Sequence, residues 1–470
     1  MANLERTAFE ASRAAEYFDA RQLSTLAGVP ASEFASVVLK ELIDNALDAC
    51  ETAGVAPEIG VEAREAKLDG AISLAVSDNG PGLPPEVVRK VLDYNIRVSD
   101  KAAYRSPTRG AQGNALKTII GIPYALGVRE PIIISARGVR HIITPSIDPA
   151  GNVRINHEER SSSSAGRALS RGQPLPSGGS TVDLQLTPGW LTDPSMEHQA
   201  QDFDPLHWIR SFAAFNPHAT FRYHGKSGSP EESEIYKSTR QNIKKYVPSQ
   251  PTSPHWYSGE SLKVLVFSHI ADAENGGKDL PLGTFVRQFA GLASTAKARV
   301  VCSRLSWVSH LSDFKKNPHD VTLLLSAMKA ESRPPKAPAL GYVGEEHFRG
   351  FFESVYDVKE FKYVRRAGSL PSGLPFVFEF ALAHLDQPGH LYCGVNFSPT
   401  FGDPLEGTPL AVPQFKASGI RGFLSQGHAL PKTERAWYFS PASVAAAAHI
   451  ITPAPAFLDR GKTRLNMESA

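Results

Sequence analysis

The sequence predicts an α+β protein, with helices and strands interleaved in its first half, a small helical region and a second segment that mixes strand and helix. Three observations carry this. Apolar residues Phe34, Val38, Leu39, Leu42, Ile43, Ala46 and Leu47 recur at helical spacing over residues 32–50. Ile59, Val61 and Ala63 alternate, as do Ile72, Leu74 and Val76, which is the period of half-buried strands. Residues 282–328 read as helical, whereas 376–382 and 391–395 read as strands. A length of 470 residues suggests about three domains. Proline-rich edges at 246–254 and 332–338 divide the chain into 1–245, 246–338 and 339–470.

The first helix is expected over residues 32–50, with Ser32 as N-cap. Two strands follow, and the turn Asp78-Asn79-Gly80-Pro81-Gly82 ends the second. A short helix over 85–92 precedes a polar loop, 99–109, and a glycine-bearing helix start at Gly110. Residues 132–134 and 139–143 pair around a turn at Arg137-Gly138. A Ser/Gly/Arg/Pro-rich loop, 161–179, leads into a strand over 181–186. Near the C-terminus the run Ala445 to Ala448 predicts a helix on alanine's high helical propensity.

Composition narrows the class. Apolar residues are 41% and charged residues 21%, which excludes wholesale disorder. Lys plus Arg is 50 and Asp plus Glu is 48, so any DNA contact must come from a local patch. Arg287, Lys297, Arg299, Arg304, Lys315 and Lys316 offer either such a patch or a solvated helix surface balanced by Asp313 and Asp320. Trp307 reads as a core residue rather than a base-stacking platform. Cys50, Cys302 and Cys393 lie far apart with no C-x-x-C pair, so a structural zinc site is not expected and a reducing cytoplasm fits. No apolar run is long enough to span a bilayer, and residues 1–21 lack the apolar core of a secretory signal.

Four motifs carry candidate chemistry. Glu41, Asn45 and Asp48 fall at i, i+4 and i+7 and share one helix face. They form either a solvated stripe or a magnesium-and-water site, because Mg²⁺ takes oxygen ligands and keeps several waters. Asp78 continues the parity of Ile72, Leu74 and Val76 and should point inward. It either caps its own turn or accepts a hydrogen bond from an exocyclic amine, with Gly80 and Gly82 letting backbone approach a flat base. In Arg109-Gly110-Ala111-Gln112-Gly113-Asn114-Ala115-Leu116-Lys117, glycines before a helix can expose N–H groups to an anion. In Gly178-Gly179-Ser180-Thr181-Val182, Ser180 shares the parity of Val182, Leu184 and Leu186, so its hydroxyl can sit beside Asp78.

These motifs, in this order, resemble the Bergerat ATP fold of the gyrase, MutL and histidine-kinase superfamily (GHKL). ELIDNALDAC resembles its N box, DNGPGL its adenine motif, RGAQGNA its phosphate lid and GGSTV its late Gly-Thr motif. Within that superfamily the chain is most similar to the B subunits of type IIB topoisomerases, those of topoisomerase VI. NPHATFRYHG, SRPPKAPALGYVGEE, GLPFVFEFALAHL and HIITPAPAFLDRGKTRL resemble, in turn, the end of the ATPase domain, the exit from a helix-two-turn-helix domain, the opening transducer strand and a transducer loop that returns a lysine to ATP.

The resemblance implies a Bergerat ATPase domain, which is a mixed sheet with helices on one face, then a small helical helix-two-turn-helix-like domain and an α/β transducer-like domain. It implies ATP and Mg²⁺ as cofactors. Glu41 becomes the general base, Asn45 the magnesium ligand and Asp78 the adenine reader, helped by Ser180. Gly80 and Gly82 lie against the base. Gly110, Gln112, Gly113 and Asn114 wrap the phosphates, with Lys117 adding charge, and Lys462 is either the lysine that contacts the γ-phosphate or a solvated tail lysine. Ala115 departs from the last glycine of the lid. The expected protein is an ATP-dependent homodimeric clamp acting with an A-type nuclease subunit or other DNA-acting partner, in the cytoplasm. The long helix that follows the family's transducer has no counterpart in the sequence, which motivates the alternative of an ATP-gated switch in a defence or plasmid system without strand passage.

Overall fold

This computed structural model describes residues 13–66, 71–94, 103–109, 115–149, 151–161, 178–187, 203–225, 233–370, 372–387, 389–402, 404, 444–455, 457 and 465. The chain divides into two compact units. The first comprises residues 1–98, 113–210 and 219–237, and the second residues 99–112, 211–218 and 238–470.

The first unit begins with α1 (Ala20–Ala27), capped by Asp19 Oδ1, which accepts the Gln22 N–H at 2.9 Å. The long helix α2 (Phe34–Ala53) starts later than the periodicity suggests, and Ser32 is not its cap. Residues Ala31–Glu33 form a tight 3₁₀ turn closed by the Glu33 N–H on the Pro30 carbonyl, so regular helix begins beyond it. Gly54, at φ 70°, ends α2 in the left-handed conformation that glycine adopts without a Cβ clash.

Strands β1 (Glu58–Glu65) and β2 (Ile72–Ser77) follow, then α3 (Pro85–Val91) and α4 (Ala115–Ala125). Next come β3 (Ile132–Ala136), β4 (Val139–Ile147), β5 (Val153–Ser161) and β6 (Ser180–Leu186). The unit is completed by the N-terminal part of α5 (Pro205–Phe215), β7 (Thr220–His224) and β8 (Ser233–Tyr236). The eight strands form one sheet in the order β5-β4-β3-β6-β2-β1-β7-β8. Its pairings are antiparallel except β1 with β7, so the sheet is mixed.

Alternation decides what the sheet buries. Ile72, Leu74 and Val76 of β2 and Val182, Leu184 and Leu186 of β6 are all buried, and α2 and α4 pack against this sheet. α2 is buried on most of its circumference: Leu39, Ile43, Leu47 and Cys50 are fully enclosed. Gly121 of α4 lies so near residue 17 that a Cβ would sit 1.8 Å from the Tyr17 carbonyl oxygen.

The second unit holds helices α6 (Gly259–Glu274), α7 (Leu282–Arg287), α8 (Thr295–Ser303), α9 (Asp320–Ala330) and α10 (Glu345–Val355). Ser258 and Ser261 close a reciprocal capping box at the start of α6. A five-stranded sheet follows, from β9 (Val358–Ser369), β10 (Pro375–Leu385), β11 (Leu391–Val395), β12 (Ser398–Pro399) and β13 (Val444–Ile451), in the order β12-β11-β13-β10-β9. The periodicity did not reveal α6, α10 or β9.

Two expectations fail here. The alanine run 445–448 is strand, not helix. β13 lies between β10 and β11, buried along its whole length, and Ala446 and Ala448 pack against Phe380 and Cys393. Small side chains are what an enclosed strand beside aromatic neighbours requires, so tertiary packing overrides helical propensity. Trp307 is not core: it is 57% exposed, and its indole N–H donates to Asp320 Oδ2 at 2.8 Å. Among the described residues, no helix is long and apolar enough to cross a membrane.

Candidate functional site

In the first unit, α2 presents Glu41 half-buried, Asn45 exposed and Asp48 buried at 7% exposure. The predicted face exists, but its environment is graded rather than uniformly solvated. The Glu41 carboxylate and the Asn45 amide lie one turn apart, both within reach of solvent. An exposed amide oxygen with a carboxylate one turn away is a donor set that suits a hydrated magnesium ion. Each directly preceding one of these two residues, Lys40 and Asp44 form a buried ion pair at 2.8 Å. Their i,i+4 spacing was the sequence signal for this pair.

Asp78 follows β2 and is 6% exposed, as its parity predicts. Its Oδ1 accepts the Gly80 N–H at 2.7 Å, and the Ser180 N–H also donates to the carboxylate. Burial raises its pKa to about 6, against the pull of those two N–H groups. The Asp78 N–H in turn donates to the Ser180 carbonyl at 3.0 Å. Ser180 is thus next to Asp78, but through its backbone. Its hydroxyl Oγ accepts the Leu83 N–H at 3.0 Å and braces the glycine turn.

The glycines around Asp78 are required by close approach. A Cβ on Gly80 would sit 2.8 Å from Asp78 Oδ1, and one on Gly82, at φ +75°, 2.9 Å from the Gly178 carbonyl oxygen. Arg137, at φ 49° in the β3–β4 hairpin, donates from Nε to the Pro81 and Gly82 carbonyls at 3.1 and 3.0 Å. Asn79 is structural: its Oδ1 accepts the Glu58 N–H at 2.9 Å and the Cys50 thiol at 3.2 Å, while its Nδ2 donates to the Ala56 carbonyl. Burial, with Asp78 nearby, pushes the Cys50 thiol up to about 12, so it is not a nucleophile.

Lys117 of α4 is 2% exposed. Its Nζ donates to the Asp93 carbonyl at 2.7 Å and lies 5.4 Å from the Tyr94 ring centre. Burial lowers its pKa. Gly110, Gln112, Gly113, Asn114 and Lys462 lie outside the described residues.

A second polar constellation belongs to the other unit and was not visible in the sequence. Arg109 is 2% exposed; its guanidinium donates to Asn216 Oδ1 and, at 3.4 Å, to the Phe397 carbonyl. Asn216 Nδ2 donates to the same carbonyl at 2.9 Å. The Phe397 N–H donates to His449 Nε2 at 3.0 Å, which leaves His449 Nδ1 to donate to Glu379 Oε2 at 3.0 Å. Glu379 also accepts the N–H groups of Val343 and Gly344, at 2.9 and 2.8 Å, and the Tyr363 hydroxyl at 2.7 Å. Burial alone would raise the Glu379 pKa, but the bonds from His449, Val343 and Tyr363 hold it below the usual carboxylate range. A continuous hydrogen-bonded path therefore runs from the residue preceding Gly110 to the sheet strands β10 and β13.

Residues 32–120 match the family described as histidine kinase-, DNA gyrase B- and HSP90-like ATPases. Within that class the chain is similar to the B subunit of type 2 DNA topoisomerase 6. It is 26% identical to the protein of Archaeoglobus fulgidus over 79% of this chain and 57% of that one. It is 23% identical to that of Methanosarcina barkeri over 79% of this chain and 55% of that one. The chain thus spans somewhat over half the length of these relatives. A solved structure of the ATPase region of Saccharomyces cerevisiae topoisomerase II aligns with 91% of this chain and 76% of that one, at 12% identity and a TM-score of 0.38.

Proposed function

We propose that this chain binds Mg-ATP, dimerises around it and hydrolyses it, and that closure is coupled to a DNA-acting partner in the cytoplasm, as in the B subunit of a type IIB topoisomerase. The observation that carries the reading is Asp78, a buried carboxylate held by two backbone N–H groups and fenced by glycines that admit no Cβ. Such a carboxylate can accept a hydrogen bond from an exocyclic amine, which suits adenine.

In this reading Asp78 accepts the exocyclic amine, and Gly80 and Gly82 let the backbone lie against the base. Glu41 orients the attacking water and takes its proton. Asn45 holds the magnesium ion, which neutralises charge on the phosphates when bound. Gly110, Gln112, Gly113 and Asn114 wrap the phosphates through backbone N–H groups, and Lys462 meets the γ-phosphate. Asp48, on the same helix face as Glu41 and Asn45, and Lys117, just inside α4, complete the nucleotide-binding set. An ATPase domain of residues 1–245, a helical domain of 246–338 and a transducer-like domain of 339–470 accompany this proposal. The hydrogen-bonded path from Arg109 to Glu379 supports coupling between the phosphate loop and the second sheet.

The test is light scattering on the full chain with a non-hydrolysable ATP analogue, with ADP and with neither. The analogue should give a dimer and ADP should not, since ADP lacks the group Lys462 touches; a ligand shifts such an equilibrium only by its differential affinity. Identical masses in all three conditions overturn the clamp. A Lys462→Ala chain that closes and hydrolyses normally overturns only the lysine's role.

A further inference from the structure

We propose that His141, His157 and Glu159 form a binding site for one divalent transition-metal ion, zinc by its ligand set, at the β4–β5 edge of the first sheet. Strand register brings the three together. His141 of β4 is paired with Glu159 of β5, and His157 lies two residues away on the same strand, opposite Ile143. The period of two puts all three side chains on one face.

The distances suit a metal. His141 Nδ1 lies 2.9 Å from His157 Nε2 and 3.7 Å from Glu159 Oε1, and His157 Nε2 lies 3.9 Å from that oxygen. In the plane of the three atoms the equidistant point is about 2.1 Å from each, the usual zinc–imidazole and zinc–carboxylate distance, and a four-coordinate ion standing off that plane needs the Glu159 carboxylate to close in slightly. Among the described residues, these three make up a cluster whose ligand atoms all fall within 4.8 Å of one another. Two imidazoles and one carboxylate, with a remaining position for water, suit zinc or cobalt; magnesium and calcium prefer all-oxygen sites.

Burial decides which nitrogen of His141 is available to the ion. His141 is fully buried, and its Nε2 has no hydrogen-bond partner among the described residues. Its one polar engagement is therefore Nδ1, aimed into the cluster. A buried ring used at a single nitrogen is costly. A metal–nitrogen bond at Nδ1 would offset part of that cost with a stronger partner than a shared proton, while Nε2 keeps the ring's proton. It would also tie the exposed edge strand β5 to β4.

Arg89 of α3 competes for the carboxylate. Its Nε donates to Glu159 Oε1 at 2.7 Å and its Nη2 to Oε2 at 2.8 Å. The Arg89 side chain is 56% exposed, so it can release Oε1 and keep Oε2 at little cost. Its positive charge should nonetheless weaken metal affinity.

The experiment titrates Zn²⁺, and separately Co²⁺, into the untagged, nucleotide-free full chain, following heat and the cobalt absorption bands. One equivalent should bind. His157→Gln and Glu159→Gln should each weaken binding at least ~10-fold, because loss even of a ligand's outer partner costs that much. Arg89→Met should tighten it about 5-fold by removing a nearby like charge in a solvent-exposed setting. Circular dichroism checks that each variant is folded. Because Arg89→Met moves affinity in the opposite direction, a general loss of structure cannot imitate the result. No uptake by the wild-type chain, or uptake unchanged in both ligand variants, would show a hydrogen-bonded histidine pair and overturn the proposal.

Discussion

Gly179 and Asp78 meet backbone to backbone: a Cβ on Gly179 would sit 1.6 Å from the Asp78 carbonyl oxygen and 3.2 Å from the Asn79 Cα. No rotamer of any side chain relieves that overlap, so the strand start at β6 and the turn after β2 can close only with glycine at this position. Gly179→Ala should therefore push the two segments apart and cost about 1–3 kcal/mol of stability by overpacking. Nucleotide affinity should fall with it, because the Ser180 N–H that holds the Asp78 carboxylate moves away. Thermal unfolding and calorimetric ATP titration read both effects. An unchanged melting temperature would contradict the close approach.

Asp78→Asn should abolish nucleotide binding rather than slow turnover. The amide can turn an NH₂ towards the adenine amine or towards the N–H groups of Gly80 and Ser180, and in either case one buried donor is unpaired, at about 1–3 kcal/mol. Unchanged ATP affinity in the variant, or equal affinity for GTP in the wild type, would count against an adenine reader.

The raised pKa of Asp78 gives this site a pH signature. In the ligand-free protein its value is about 6, above the unfolded value of 3.8, so folding takes up a proton between the two. Its contribution to stability is present below about pH 4 and is lost as pH rises through 6. Ligand binding requires the ionised form, so adenosine, which carries no titrating phosphate, should bind more weakly as pH falls below 6. A flat affinity from pH 5 to 7, measured by ligand-observed NMR (roughly tenfold per unit is the linkage limit), would show that the carboxylate does not accept from the base.

Glu41→Gln should leave ATP binding intact and slow hydrolysis by ~10²–10⁴, the usual worth of a positioned general base. Glu41 is half-buried on α2 and touches none of the bonds that hold Asp78, so affinity and turnover should separate. Wild-type turnover in this variant would remove Glu41 from the mechanism.

Glu379→Gln should destabilise the second unit by about 1–3 kcal/mol, because the amide sets an N–H donor among donors. The effect carries a pH sign. The folded carboxyl titrates below its unfolded value of 4.5, so the charge's contribution is present above that pH and disappears as pH falls through the lower folded value. The stability gap between wild type and variant should close in acid. A gap independent of pH would mean that packing, not the charge, holds Glu379 in place.

The sequence alone determined the site's local grammar. The parity of Asp78 and Ser180, the spacing of Glu41, Asn45 and Asp48, and the strands around the DNGPGL turn all follow from periods of 2 and 3.6, which need no knowledge of distant contacts. Motif order determined the likeness to the gyrase B- and HSP90-like ATPases. Tertiary structure decided what depends on partners far along the chain. It made residues 445–448 a strand, because β10 and β11 enclose them. It made Ser180 a brace for Leu83 rather than a hydroxyl on Asp78, and turned Lys117 inward to the Asp93 carbonyl. It left Trp307 at the surface. It joined Arg109 to Asn216, Phe397, His449 and Glu379, residues whose spacing carries no period. It brought His141 beside His157 and Glu159, where counting cysteines had given no reason to expect a metal. Short-range geometry is written in neighbouring residues; burial and long-range polar pairing exist only once the chain has closed on itself.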